Sequence, residues 1–130
     1  MSSRAVPSAL TEALARQPML AFAVLVGSRA TGQAHEQSDW DIALQWSPRM
    51  DEWTAMGAVE CLRSELARAL QVEASQVDLI DLRRANLAMK ASAAEEGVLL
   101  TAPDAMAWEH FLQRTWRELE DHYWAQQHAA

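Results

Sequence analysis

The sequence predicts an α/β fold: a small mixed sheet of three to four strands flanked by helices. Three stretches carry that expectation. The run Leu-Ala-Phe-Ala-Val-Leu-Val from residue 20 is apolar without a break, as a central strand covered on both faces must be. Residues 39–46, Asp-Trp-Asp-Ile-Ala-Leu-Gln-Trp, alternate in character with the period of two that marks a strand. Residues 48–70 instead space Trp53, Ala55, Met56, Val59, Leu62, Leu66 and Leu70 at helical intervals, with charges opposite.

The remaining elements follow in order. Residues 8–16 predict a first helix, with Ser8 as its cap, Leu10 and Leu14 on one face, and Pro18 closing it. Ser47-Pro48 reads as a cap with proline at the first helical position, so the long helix is expected to run from there to about Leu70. Residues 77–82, Val-Asp-Leu-Ile-Asp-Leu, have the length and content of a strand. An Ala-rich helix is expected over 84–96, with Gly97 as its stop and a short strand at 98–100. Pro103-Asp104 opens a last helix over about 104–126. Its Trp108, Phe111, Leu112, Trp116, Leu119 and Tyr123 recur at helical spacing, flanked by Trp124. Such a stripe either docks on the domain's own core or serves as interface anchors, and the sequence weighs these equally.

Composition bounds the rest. At 130 residues the chain is expected to be a single domain over 1–130. No apolar run approaches the roughly 20 residues of a membrane span, and the N-terminus has no apolar core of signal-peptide length. One cysteine, Cys61, permits no internal disulfide, so a reduced, cytoplasmic protein is the expectation. Cys61 reads as a packing residue, since no base neighbours it in sequence. The net charge of −7 argues against direct nucleic-acid binding, but not against a nucleotide held at a local site. His110, His122 and His128 show no zinc-ligand spacing, and His35 reads as a solvated loop residue.

The chemistry gathers between residues 26 and 42. On a strand over 39–46, Asp39 and Asp41 share a face at roughly 6–7 Å, while Trp40, Ile42, Leu44 and Trp46 form an apolar rear. Two like charges so close favour protonation unless a cation sits between them, and hard oxygen donors suit Mg²⁺ or Mn²⁺. Upstream, Gly27 permits a sharp turn and Ser28 adds a hydroxyl, at the start of a short helix whose free N–H groups would face an anion. A phosphate cradle beside a metal-binding dyad is the hardware of nucleotidyl transfer.

Gly27-Ser28, ten residues, then Asp39-x-Asp41 resembles the signature of the DNA polymerase β-like nucleotidyltransferases. The short chain and the Gly-Ser-Arg-Ala-x-Gly form are similar to the minimal nucleotidyltransferases of HEPN/MNT toxin–antitoxin pairs. Thr31 stands where the common form has arginine. The resemblance spans about residues 18–100. It implies a polymerase β-like fold and Mg²⁺-dependent transfer of AMP from ATP to a tyrosine of a cognate HEPN ribonuclease toxin (HepT-type). That toxin would be silenced within a hetero-oligomeric complex. It also implies ATP-phosphate contacts from Gly27, Ser28 and Arg29, and a third metal carboxylate on a later strand. Asp78, within Val-Asp-Leu-Ile, matches that third position best, and Asp81 is the second choice. Arg83, Arg84 and Lys90 lie within reach of a triphosphate, but read better as a solvated helix face. Two rival functions stand beside this one: an antitoxin that neutralises by binding alone through its aromatic helix, and a small-molecule nucleotidyltransferase.

Overall fold

A computed structural model describes residues 6–129; residues 1–5, where no signal-peptide core was expected, and residue 130 lie outside the described part. The elements are α1 (Ser8–Ala15), β1 (Leu20–Val26), α2 (Ser28–Thr31), β2 (Trp40–Trp46), α3 (Glu52–Leu70), β3 (Val77–Asp81), α4 (Leu87–Glu96), β4 (Val98–Thr101) and α5 (Ala105–Gln127). The sheet has four strands in the order β3-β2-β1-β4. β1 runs antiparallel to both β2 and β4, and β2 runs parallel to β3, so the expected mixed sheet is present.

Strand β1 is buried along its whole length because helices cover both faces of the sheet. On one face α1 and α3 pack Leu10, Leu14, Leu62 and Leu66 against Leu25, Ile42, Leu44 and Trp46. On the other, α4 and α5 close over Phe22, Val24, Ala43 and Leu82 with Ala93 and Phe111. A bulge in β1 between Leu20 and Phe22 shifts the register, and it turns Ala21 and Phe22 together toward the α4–α5 side. Phe22 thereby meets Trp108 edge-on at 5.1 Å and Phe111 at 5.5 Å, while Trp108 and Phe111 stack at 5.7 Å.

Several boundaries differ from the sequence expectation, each for a local reason. Ser8 does not cap α1; Pro7 holds the cap position, and Thr11 donates to the Ser8 carbonyl instead. Ser47 does not cap α3. Its hydroxyl accepts from the Arg49 N–H within a turn, and Asp51 takes over the cap by accepting from the Thr54 N–H at 2.7 Å. Asn86 caps α4 in the same way, which leaves Arg83 and Arg84 in the turn before the helix. The buried stripe of α3 runs through Leu62 and Leu66, whereas Trp53 and Met56 lie off it and face solvent. The aromatic stripe of α5 divides. Trp108, Phe111 and Leu112 join the core, but Tyr123 (58 % exposed) and Trp124 (63 %) project beyond it.

The Phe22–Trp108–Phe111 cluster is what fastens α5 to the sheet. Phe22→Ala should lower the unfolding free energy by about 3–5 kcal/mol, read from urea denaturation. A loss below about 1 kcal/mol would mean that the helix is held elsewhere.

Candidate active site

The corner after β1 and the start of β2 are neighbours because the two strands pair in register, with Val26 opposite Asp41. The chain turns at Gly27, where φ is +74° and ψ is −158°, a region essentially reserved for glycine. The same residue lies against a carboxylate. A Cβ placed on Gly27 would collide with Asp41 Oδ2 and sit 3.3 Å from its Cγ. One turn of helix, α2, starts at Ser28 as expected, and Gly32 closes it in the left-handed conformation.

The loop from α2 to β2 is gripped by Arg29. Its guanidinium donates to the Ser38 carbonyl from Nη2 (2.7 Å) and Nε (3.1 Å), and Nη2 also reaches the carbonyls of His35 and Glu36 at 3.3 Å. The same group lies 4.1 Å from the centre of the Trp40 ring, a cation–π contact. Trp40 stands between the two aspartates in sequence, so this one side chain braces the backbone on both sides of Asp39. His35 belongs to the loop's own bonding: its N–H donates to Ser38 Oγ, and its Nδ1 accepts from the Gln37 N–H. Sequence reasoning missed the grip of Arg29. The available signal was an arginine one helical turn upstream of a polar loop that ends in Asp-Trp-Asp.

Asp41 is half-buried at the head of β2, while Asp39 is exposed and precedes the strand rather than lying within it. In the parallel ladder Asp78 is the register partner of Asp41, on the neighbouring strand β3. Adjacent strands lie about 4.8 Å apart, so partners on one face are near neighbours. The electrostatics carry the mark of that crowding. Burial raises the Asp41 carboxyl above its ordinary value, and the negative charges of Asp78 and then Asp39 raise it further. Asp81, the second choice for a third carboxylate, points to the other face of the sheet. There it accepts from the Arg83 N–H and lines a larger cavity of about 440 Å³ with Trp46, Val59 and Leu79. Asp39, Asp41 and Asp78 do not line that cavity.

The arrangement suits a divalent cation shared with a ligand. No three His, Cys, Asp or Glu side chains among the described residues form a group that encloses a metal unaided. Mg²⁺ usually takes one or two carboxylates and completes its shell with water and phosphate oxygens, which fits an open, like-charged cluster beside a glycine-serine corner.

Comparison with known proteins identifies the family and the fold. A family model described as Polymerase beta, Nucleotidyltransferase matches residues 8–105. A solved toxin–antitoxin structure with AMP-PNP is 27% identical at a TM-score of 0.69, over 96% of this chain and 94% of that one. A MntA–HepT toxin–antitoxin with two aspartates changed to glutamate is 25% identical at a TM-score of 0.68, with the same coverage. A third structure, a tri-AMPylated HEPN toxin from Shewanella oneidensis in complex with an MNT antitoxin, is 25% identical at a TM-score of 0.57. It covers 94% of this chain and 86% of that one. No curated protein matches in sequence. Among the described residues, no helix is long and apolar enough to cross a membrane.

Two outcomes test the site's construction. Gly27→Ala should destabilise the fold by at least about 1–3 kcal/mol, since it adds backbone strain to a collision with Asp41. Gly57→Ala, on an open face of α3, should be stabilising by up to about 1 kcal/mol in the same urea titration. Asp41→Asn should raise the melting temperature at pH 7, because a carboxylate with a raised pKa opposes folding when ionised. The advantage should shrink as pH falls through that raised pKa toward 3.8, where the wild-type carboxyl is neutral too. A variant less stable than wild type at pH 7 would mean that the Asp41 charge is favourably paired.

Proposed function

The chain belongs to the polymerase β nucleotidyltransferase family, and from that premise we propose that it is a Mg²⁺-dependent protein adenylyltransferase. In this reading residues 1–130 act as one minimal transferase domain. It moves AMP from ATP to a tyrosine of a cognate HEPN toxin, and so acts as the antitoxin in a hetero-oligomeric complex in the cytoplasm. The observation that carries the proposal is the register pairing of Asp41 with Asp78 across β2 and β3, with Asp39 two residues before Asp41 and Gly27 packed against the Asp41 carboxylate. The likeness to complexes with AMP-PNP and with an AMPylated toxin supports the choice of nucleotide and acceptor.

Asp39 and Asp41 would hold the metal, and Asp78 would complete the carboxylate set. A divalent cation held by these carboxylates would supply charge neutralisation to the leaving pyrophosphate and acidity to the acceptor hydroxyl. The backbone at Gly27 and the hydroxyl of Ser28 would contact the ATP phosphates. Arg29, whose donors hold the loop, would add a further contact to the ATP phosphates. The tyrosine oxygen attacks the α-phosphorus, the new O–P bond forms, and the bond from that phosphorus to the bridging oxygen breaks, releasing pyrophosphate. Asp78 positions the phenol and takes its proton. Burial first, and then the charges of Asp78 and Asp39, oppose the ionisation of Asp41, and a cation held there would offset those charges.

Intact-mass analysis of the partner toxin after incubation with this protein, ATP and Mg²⁺ should show addition of one or more AMP groups. Asp39→Asn and Asp41→Asn should abolish the gain, and Asp78→Asn should slow it by about 10²–10⁴-fold. Toxin neutralised with no mass gain, and equally well by Asp41→Asn, would favour neutralisation by binding alone.

A further inference from the structure

A second cavity, of about 190 Å³, lies between α4, α5 and the far end of β2, and its lining is at odds with the acidity of the chain. Arg83, Lys90 and Arg114 line it, against a single carboxylate, Glu118. The three cations come from the turn before α4, from α4 and from α5, so the tertiary fold converges them and no single helix face explains them. Thr115, a polar residue only 1 % exposed, and Gln45 supply further polar groups to the wall.

The cations are poorly neutralised, and only Arg83 is anchored by a hydrogen bond. Arg83 anchors Nη2 on the Trp46 carbonyl at 2.7 Å, which fixes the guanidinium without cancelling its charge. Lys90 is partly buried and stands 3.7 Å from Glu118 Oε1, at the long limit of an ion pair. Arg114 forms no ion pair among the described residues. Like charges gathered around a small, partly desolvated space repel unless an anion joins them. Guanidinium forks with an ammonium and a hydroxyl match the oxygens of a phosphate group. The volume is too small for a whole drug-sized ligand, whose sites run from about 300 Å³, yet it has room for a phosphate group.

We propose that this cavity is a phosphate-binding site separate from the carboxylate cluster. It takes the phosphate group of a free polyphosphate or of a nucleotide phosphodiester. Gln45 shares the strand face of Asp41 but lies four residues further along β2, about 13 Å away. The inference stands on the lining residues and holds whether or not the chain transfers AMP.

The test uses the full chain in EDTA, which removes metal-assisted binding at the aspartates. Pyrophosphate and triadenylate without a terminal phosphate serve as the two probes. Amide shift mapping on the wild-type protein should move Lys90, Arg114 and Thr115 with at least one probe. Lys90→Ala combined with Arg114→Ala should weaken that probe by about tenfold or more, and Arg114→Lys should retain part of the affinity. Response to pyrophosphate assigns a free polyphosphate, and response to triadenylate alone assigns a phosphodiester. The proposal falls if neither probe shifts these residues. It falls equally if the shifts gather only at Gly27, Ser28 and Asp41, or if the double variant binds as wild type does.

Discussion

The contact between Gly27 and the Asp41 carboxylate is the constraint on which the site depends. Register in the β1–β2 ladder sets Val26 opposite Asp41, so the residue that follows Val26 must turn away directly beside the carboxylate. There is no space for a side chain, and the backbone conformation excludes one independently. A glycine satisfies both demands at once. The corner that would cradle phosphate and the acid that would hold metal are therefore a single packed unit, and each places the other.

Around that unit the protein tolerates an electrostatic penalty and contains it with rigid surroundings. Asp41 and Asp78 are neighbours because β2 and β3 run parallel in register, and burial, with the charges of Asp78 and Asp39, opposes the ionisation of Asp41. Such a cluster persists only where the scaffold cannot relax. The apolar sheet beneath it is covered on both faces, and the loop leading into β2 is locked by Arg29 on Ser38 and Trp40.

The two faces of the sheet divide the labour of folding. The α1–α3 face is a dense apolar core of aliphatic side chains with Trp40 and Trp46, whereas the α4–α5 face combines the Phe22 aromatic cluster with polar openings at its margins. Helix α5 joins the two functions. Its first half completes the core, and its last turns carry Tyr123 and Trp124 into solvent. The equal weighing of core and interface in the sequence thus has a spatial answer: one helix does the first near Phe111 and leaves aromatic surface free near Trp124.

Much of this was legible in the chain. The unbroken run of β1, the alternation of β2 and the Gly-Ser and Asp-x-Asp spacing each encode local geometry, because strand period and glycine's freedom are properties of neighbouring residues. Cap positions were less legible. Asp51 and Ser47 are both good caps, and only the turn that Ser47 makes with Arg49 decides between them. Strand alternation alone put Asp81 on the face opposite Asp78, whereas the partnership of Asp41 with Asp78 and the meeting of Arg83, Lys90 and Arg114 were beyond local reasoning. Sequence determined which residues could sit on one face of one strand or helix. Tertiary structure alone decided which faces meet, because strand order, register and helix docking arise from packing between segments far apart in the chain.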